Sequence, residues 1–276
     1  MSIGDDEVAV ELDAVQVGVA AGVGRVVQAG PRAAGLLDRR VLVGPIDPCG
    51  ECDVCRRGGA AVCPLARRRG ELGATAIARG RWVVPLDDGL ELPGSSAAAV
   101  AGDVALAYAL YARTGVAPRE PVVVVGGSPV ARFLIEILIA KGIAPTAVAD
   151  PGAWSDWLHR RGVAVARDRD ALTAVFAAHS LGTRPWRVLC GDPAASPAAV
   201  ELAGPRATLT LLAGATPRAI AGDALAREVT IIGVAGAHPD LVVEVAAMCA
   251  RHEIDLAAGT TDDATDPLRT HVRALH

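Results

Sequence analysis

The chain is poor in aromatic residues, with four Trp, two Tyr and two Phe in 276 residues. It is nearly devoid of lysine: Lys141 stands alone, and arginine supplies the rest of the 27 basic residues. It has no basic excess, because 31 acidic residues leave a net charge of −4. A nucleic-acid binder needs surplus Lys and Arg to neutralise phosphates, so that class is excluded. No uncharged apolar run reaches the length of a membrane span, and MSIGDDEVAV has no basic segment leading into an apolar core. The expectation is a soluble, cytoplasmic protein. Histidine is missing before His159, so the first half has none of the commonest metal ligand and general base. What is plentiful is apolar: 51% of the residues, enough for a sizeable core. The length lies between one ordinary domain and two full ones.

Six cysteines are present, and four of them, Cys49, Cys52, Cys55 and Cys63, fall within fifteen residues in the spacing C-x2-C-x2-C-x7-C. A disulfide-stapled secreted protein would spread its cysteines through a smaller chain. Four thiolates in one loop suit a tetrahedral zinc, each sulfur about 2.3 Å from the metal, and four of them close the shell. A closed shell means a structural metal, one per chain. Arg56, Arg57, Arg67, Arg68 and Arg69 flank the loop and would offset its negative charge. The other reading is a reduced or redox-active cysteine loop. Cys190 and Cys249 lie in the apolar segments RVLC and VVEVAAMCA and read as small core residues.

From about residue 104 the pattern alternates strands and helices. Val122, Val123, Val124 and Val125 form an unbroken apolar run, as expected of a strand buried on both faces. It leads into Gly126-Gly127-Ser128-Pro129-Val130-Ala131. A helix follows, with Pro129 in its first turn and Val130, Phe133, Leu134, Ile137 and Leu138 on its buried face. A second strand at 146–149 ends at Asp150. This resembles the strand–turn–helix of a dinucleotide fold, which implies pyrophosphate at the helix N-terminus and an acid for the ribose. The cofactor-binding set is Gly126, Ser128, Pro129, Val130, Ala131 and Asp150. Asp150 follows Gly126 by 24 positions, near the expected offset, and favours NAD(H) over NADP(H). Ser128 and Ala131 stand where the second and third glycines are expected. The serine puts a side chain where the pyrophosphate should approach, so any binding of NAD(H) is expected to be weak; the other reading is a Rossmann-like core that no longer binds nucleotide. Further strands are expected at 163–166, 187–190, 207–212 and 229–234, and helices at 170–178, 197–203 and 239–252. A last short helix is expected from Asp266-Pro267, with Asp266 as N-cap. His252 reads as a complement to a helix C-terminus, and His238 as a loop residue.

A four-cysteine lobe followed by a nucleotide fold resembles the zinc-containing medium-chain alcohol dehydrogenases, over nearly the whole chain. Residues 7–17 (EVAVELDAVQV) resemble the family's early strand, and 22–30 (GVGRVVQAG) the stretch after its glycine-histidine-glutamate motif. Residues 41–63 resemble the structural zinc lobe, 82–90 (WVVPLDDGL) the strand and turn after it, 122–150 the coenzyme motif and 229–256 its last strand and helix. The resemblance implies an α/β fold: a doubly wound Rossmann-type parallel sheet plus a reduced GroES-like β-rich domain. It places the β-rich domain at 1–103 with the zinc lobe at 44–70, the coenzyme-type domain at 104–254 and a return segment at 255–276. It also implies trimmed ends, without the family's first strand before Glu7 and stopping at His276 short of a completed catalytic-type domain.

The family's catalytic zinc needs three protein ligands, and the matching positions do not supply them. Gly18 stands for the first cysteine, Val19-Ala20-Ala21 for glycine-histidine-glutamate, and Ala101-Gly102 for the third ligand. Asp103 is adjacent but cannot hold a metal alone. No catalytic residue is assigned. The expected function is therefore that of a non-catalytic or assembly subunit, a homodimer or part of a larger complex, with zinc on Cys49, Cys52, Cys55 and Cys63. The alternative is an NAD(H)-dependent, zinc-independent oxidoreductase of the same superfamily, for which the hydroxyl donors Ser95, Ser96, Tyr108 and Tyr111 have no assigned role.

Overall fold

The computed structural model describes residues 3–86, 90–92, 94–117, 119–179, 186–215 and 223–275. Part of the segment 82–90 singled out above, residues 87–89, lies outside this set. The chain divides into two compact units, Met1–Leu106 with Gly236–His276, and Ala107–Ala235.

The first unit opens with β1 (Glu7–Gln16), β2 (Ala21–Ala29), β3 (Arg40–Val43), β4 (Ile46–Asp47), β5 (Arg67–Arg68), β6 (Thr75–Arg79) and β7 (Val83–Pro85). Along β1, Val10, Leu12 and Ala14 are buried while Glu11 and Asp13 face solvent, the alternation of a half-buried strand. β1 and β2 pair antiparallel with register breaks at Ala9/Val10 and Leu12/Ala14. At the crossing sits Gly24, where a Cβ would lie 2.0 Å from the Glu11 carbonyl oxygen, so only glycine lets the strands approach. The core here gathers Val8, Val10, Leu12, Val26, Val41, Val43, Ala78 and Val83.

The second unit carries β8 (Val122–Val125), β9 (Thr146–Val148), β10 (Ala164–Ala166), β11 (Arg187–Cys190), β12 (Thr208–Leu212) and β13 (Thr230–Val234). All pair in parallel, in the order β10-β9-β8-β11-β12-β13. This is the doubly wound order, with the reversal between β8 and β11. All four valines of β8 are buried, each contributing roughly 1.5–3 kcal/mol of apolar burial. The helix Pro129–Ala140 packs beside them, burying Phe133, Leu134, Ile137 and Leu138. Cys190 here and Cys249 in the first unit are fully buried core residues, and burial pushes their thiols up to about 11 and about 12.

The chain then adds β14 (Thr260–Thr261) and β15 (Thr270–Ala274) to the first unit, whose sheet runs β14-β15-β1-β2-β3-β7, with β6 also on β1. This corrects the short helix expected from Asp266. The Asp266 carboxylate does accept from a backbone amide, that of Leu268 at 2.9 Å, but it caps a turn. The chain then extends, because the half of β1 not taken by β6 offers open pairing at Ala14, Val15 and Gln16. The segment thus returns to the sheet of the first unit. The helix Pro239–Ala250 packs against Val100–Val104 and β7 in that unit. His238 is its N-cap rather than a plain loop residue, its Nδ1 accepting from the Asp240 amide at 3.4 Å. His252 takes a left-handed backbone just past the helix end, with φ of 57°.

Candidate metal centre and nucleotide turn

Cys49 follows β4, Cys52 caps a one-turn helix that contains Cys55, and Cys63 closes the next 3-10 turn. Gly50, with φ of +78°, makes the reversal between the first two. The four sulfurs lie within 4.8 Å of one another. Cys49 Sγ is 3.5 Å from Cys63 Sγ and 3.9 Å from Cys55 Sγ, and Cys52 Sγ is 3.8 Å from Cys63 Sγ. Four sulfurs about 2.3 Å from one zinc sit about 3.8 Å apart, so the spacing fits a tetrahedral ion. The Glu51 and Cys52 amides donate to Cys49 Sγ at 3.5 and 3.4 Å and pull its thiol down to about 6. Burial pushes the Cys55 thiol up to about 12. Several thiolates this close need a cation between them to stay ionised together.

The base of the lobe is built on buried Asp47. Its carboxylate faces Arg69 at 3.6 Å and Arg79 at 3.5 Å, while Arg79 also donates to the Pro48 carbonyl at 2.8 Å. Arg67 pairs with Glu7 at 2.7 Å. Three of the arginines read as charge compensation therefore hold carboxylates, since Arg56 faces Asp53 at 3.9 Å.

Elsewhere in the first unit a buried polar knot joins three distant segments. The Thr270 hydroxyl donates to Asp103 Oδ2 at 2.7 Å, and the Asp103 amide donates to Gln16 Oε1 at 3.1 Å. All three residues are buried. The helix widens to a π turn over Val100–Val104, and Gly102 leaves helical geometry there with φ −113° and ψ −105°. A Cβ on Gly102 would lie 1.9 Å from Gln16 Oε1, so the glycine makes room for the glutamine. Burial raises the Asp103 carboxyl above its ordinary range, and the bonds from Thr270 and Gln16 oppose that rise.

In the second unit the turn after β8 starts at Gly126, with φ of +104°. A Cβ on Gly126 would lie 2.5 Å from Cβ of Asp192, and one on Gly191 would lie 2.7 Å from Ala131 Cα. Ser128 is the N-cap of the helix Pro129–Ala140. Its hydroxyl accepts from the Ala131 amide at 3.2 Å and donates to the Gly191 carbonyl at 2.7 Å. Val130 and Ala131 are buried behind this cap. Asp150 lies exposed just beyond β9. A separate cavity of about 390 Å³, lined by Pro121, Val122, Ile139, Thr146, Arg161 and His179 among others, opens at the amino ends of β8 and β9. In open α/β sheets ligands bind at the carboxyl ends, so this cavity is not the nucleotide crevice.

No family model matches the chain. Solved structures do. Galactitol-1-phosphate dehydrogenase from Escherichia coli superposes with a TM-score of 0.79 at 18% identity, covering 95% of this chain and 86% of that one. Alcohol dehydrogenase TADH from Thermus sp. ATN1 gives 0.76 at 16% identity, with 95% and 86% covered. L-idonate 5-dehydrogenase from Escherichia coli gives 0.75 at 14% identity, with 99% and 91% covered. The chain has the fold of the medium-chain alcohol dehydrogenases.

Within that fold the four cysteines named from the sequence converge on one point. The turn residues Gly126, Ser128, Pro129, Val130 and Ala131 follow one another around the carboxyl end of β8, with Asp150 at that of β9. The residues lining this medium-chain turn do not fit a pyrophosphate well. Ser128 puts a side chain at the second glycine position, and its hydroxyl already takes the Ala131 amide. Reading the sequence missed Gln16 and Thr270 as partners of Asp103, and it missed Asp192 and Trp154 beside the turn. Only Asp192 carried a signal, as the first acid after the strand that neighbours β8 across the reversal.

Proposed function

We propose that this chain is a non-catalytic member of the medium-chain dehydrogenase fold, a structural or assembly subunit with one zinc on Cys49, Cys52, Cys55 and Cys63. The observation that carries the reading is the Gln16–Asp103–Thr270 knot. Where the resemblance expects ligands of a catalytic zinc, this chain has Gly18, Ala20 and Gly102, and the carboxylate of the adjacent Asp103 is hydrogen-bonded to Thr270. A Lewis-acidic zinc needs three protein ligands and an open position. Zinc at the cysteine lobe would supply a closed structural centre that holds residues 49–63 together. The test is alcohol oxidation measured alongside metal content. One zinc per chain with no chelator-sensitive turnover supports the reading, and turnover restored by added zinc with the lobe loaded refutes it.

The non-catalytic role implies a partner, and the fold offers a place for one. β13 ends the sheet of the second unit, its residues exposed or half-exposed except Val234, with Ile231 38% exposed. Among the described residues no strand pairs with the outer side of β13, and an apolar edge strand left so invites pairing. A homodimer joined along β13, or a larger complex using that edge, satisfies it. A stable monomer in light scattering at micromolar concentration would count against this.

A second reading is an NAD(H)-dependent, zinc-independent oxidoreductase. Its support is Asp150 at the tip of β9, where a ribose acid belongs, and a neighbour from Escherichia coli solved with NADH at 16% identity. Saturable NADH binding at micromolar concentration would favour it.

A further inference from the structure

Beyond the serine at the turn, two other side chains, Trp154 and Asp192, converge on the same place. The dinucleotide path in this fold runs from the turn after β8 to the acid after β9, where the ribose sits. Trp154 lies four residues past Asp150 and reaches back across that gap. A Cβ on Gly127 would lie 3.3 Å from Trp154 Cδ1 and 3.4 Å from its Cγ, so the indole rests on the glycine. Its position is fixed on both sides. Gly152, with φ of +154°, turns the chain into the helix Ala153–Arg160, and the Ser155 hydroxyl locks that start, accepting from the Gly152 amide at 3.0 Å and donating to the Gly152 carbonyl at 2.9 Å. One helical turn on, Trp157 stacks on Trp154 with centroids 5.1 Å apart and planes 8° apart. Arg132, from the helix that follows the glycine turn, sets its guanidinium 4.8 Å from the Trp157 ring. The stack therefore runs from that helix back to the turn.

On the opposite side of Gly126 stands Asp192, at the carboxyl end of β11. That is the reversal point of the sheet, where a nucleotide would lie. Its Cβ faces Gly126, and its Oδ1 accepts from the Ala194 amide at 2.9 Å, which fixes the side chain. A pyrophosphate there would meet a like charge.

We propose that the nucleotide turn is closed by the chain's own side chains: Trp154 lies over Gly127, Ser128 fills the second glycine position, and Asp192 sets a negative charge beside Gly126. Trp154 is the specificity-determining residue of this closure, taking the surface over which an adenosine ribose would pass. A dinucleotide is excluded by occupation, not by loss of the fold. This rests on the non-catalytic reading, but its measurement is separate: binding tests the closure, and turnover tests that reading.

The experiment titrates NADH by calorimetry into the full-length protein, its Trp154→Leu variant and the triple variant Trp154→Leu/Ser128→Gly/Asp192→Asn. Circular dichroism and zinc content control for folding. The unmodified chain should give no saturable heat at micromolar NADH. The triple variant should give saturable binding about ten- to a hundredfold tighter than the limit set by the unmodified chain, the gain from regaining one or two charge-assisted amide bonds. Trp154→Leu alone should recover part of that gain, and it decides the matter if the triple variant does not fold. Micromolar NADH binding by the unmodified chain overturns the closure. So does a folded Trp154→Leu protein with unchanged affinity.

Discussion

Replacing Thr270 by Val removes one hydroxyl from the first unit and nothing else, because valine keeps the shape and the packing methyls. The hydroxyl donates to Asp103 Oδ2 at 2.7 Å, and Thr270 is 1% exposed, so no water stands ready to replace it. Losing a buried hydrogen bond to a charged acceptor costs about 1.5–3 kcal/mol. For a unit of this size each kcal/mol lowers the melting temperature by about 3 °C. The cost depends on pH in a definite sense. Burial already raises the Asp103 carboxyl in the folded state, and Thr270 holds it down. Without Thr270 the folded carboxyl rises further above its unfolded value. A raised carboxyl penalises folding as pH climbs through it, so the variant loses most at neutral pH and approaches the parent in acid. Thermal unfolding between pH 5 and 8 reads the trend. Hydrogen exchange at the Val17 and Leu275 amides, which donate to His271 and Asp13 carbonyls on the β1–β15 seam, localises it. A loss below about 0.5 kcal/mol, or one independent of pH, would refute the knot as a buried, ionisable clasp.

Asp103→Asn should keep the acceptor for Thr270 while removing the charge, so its stability relative to the parent should rise with pH; a flat difference would show that Asp103 does not titrate as its burial implies. Cys52→Ser should release the zinc and raise hydrogen exchange across residues 46–68, leaving exchange in the sheet of β8–β13 unchanged; equal loss in both units would contradict a local staple. Ile231→Lys should place a charge on the β13 edge and shift the protein from dimer to monomer in light scattering; an unchanged dimer would put the interface elsewhere. Asp150→Ala, built into the Trp154→Leu background, should weaken NADH binding and narrow its advantage over NADPH; a preference for NADPH before that change would show that Asp150 does not face the ribose.

The parallel sheet was readable because its signals are local. Four valines followed by two glycines, a proline and a helical apolar face occupy nineteen consecutive positions from Val122 to Ala140, and the observed elements begin and end there. The cysteine cluster was readable for the same reason, since its four cysteines lie in fifteen residues. What escaped is nonlocal. Thr270 meets Asp103 across 167 positions and Gln16 meets it across 87, and no pattern within a window announces either. Asp266-Pro267 is a helix start in isolation, but the open half of β1 draws the following residues into a strand. The helix Pro239–Ala250 has an apolar face that would suit either unit, and its contacts with β7 and Val100–Val104 decide. Trp154 gave no warning because a tryptophan four residues past an acid is an ordinary helix residue until the backbone carries it onto Gly127.

The proposed function gives this dehydrogenase fold a structural zinc on Cys49, Cys52, Cys55 and Cys63 and no catalytic metal. Metal analysis of freshly purified protein, paired with an alcohol-oxidation assay before and after mild chelation, tests it most directly. One zinc per chain, lost in Cys52→Ser, and no turnover that follows the metal are expected. Two zinc ions per chain, or an activity that disappears on chelation and returns with zinc while the cysteine lobe stays loaded, would contradict it.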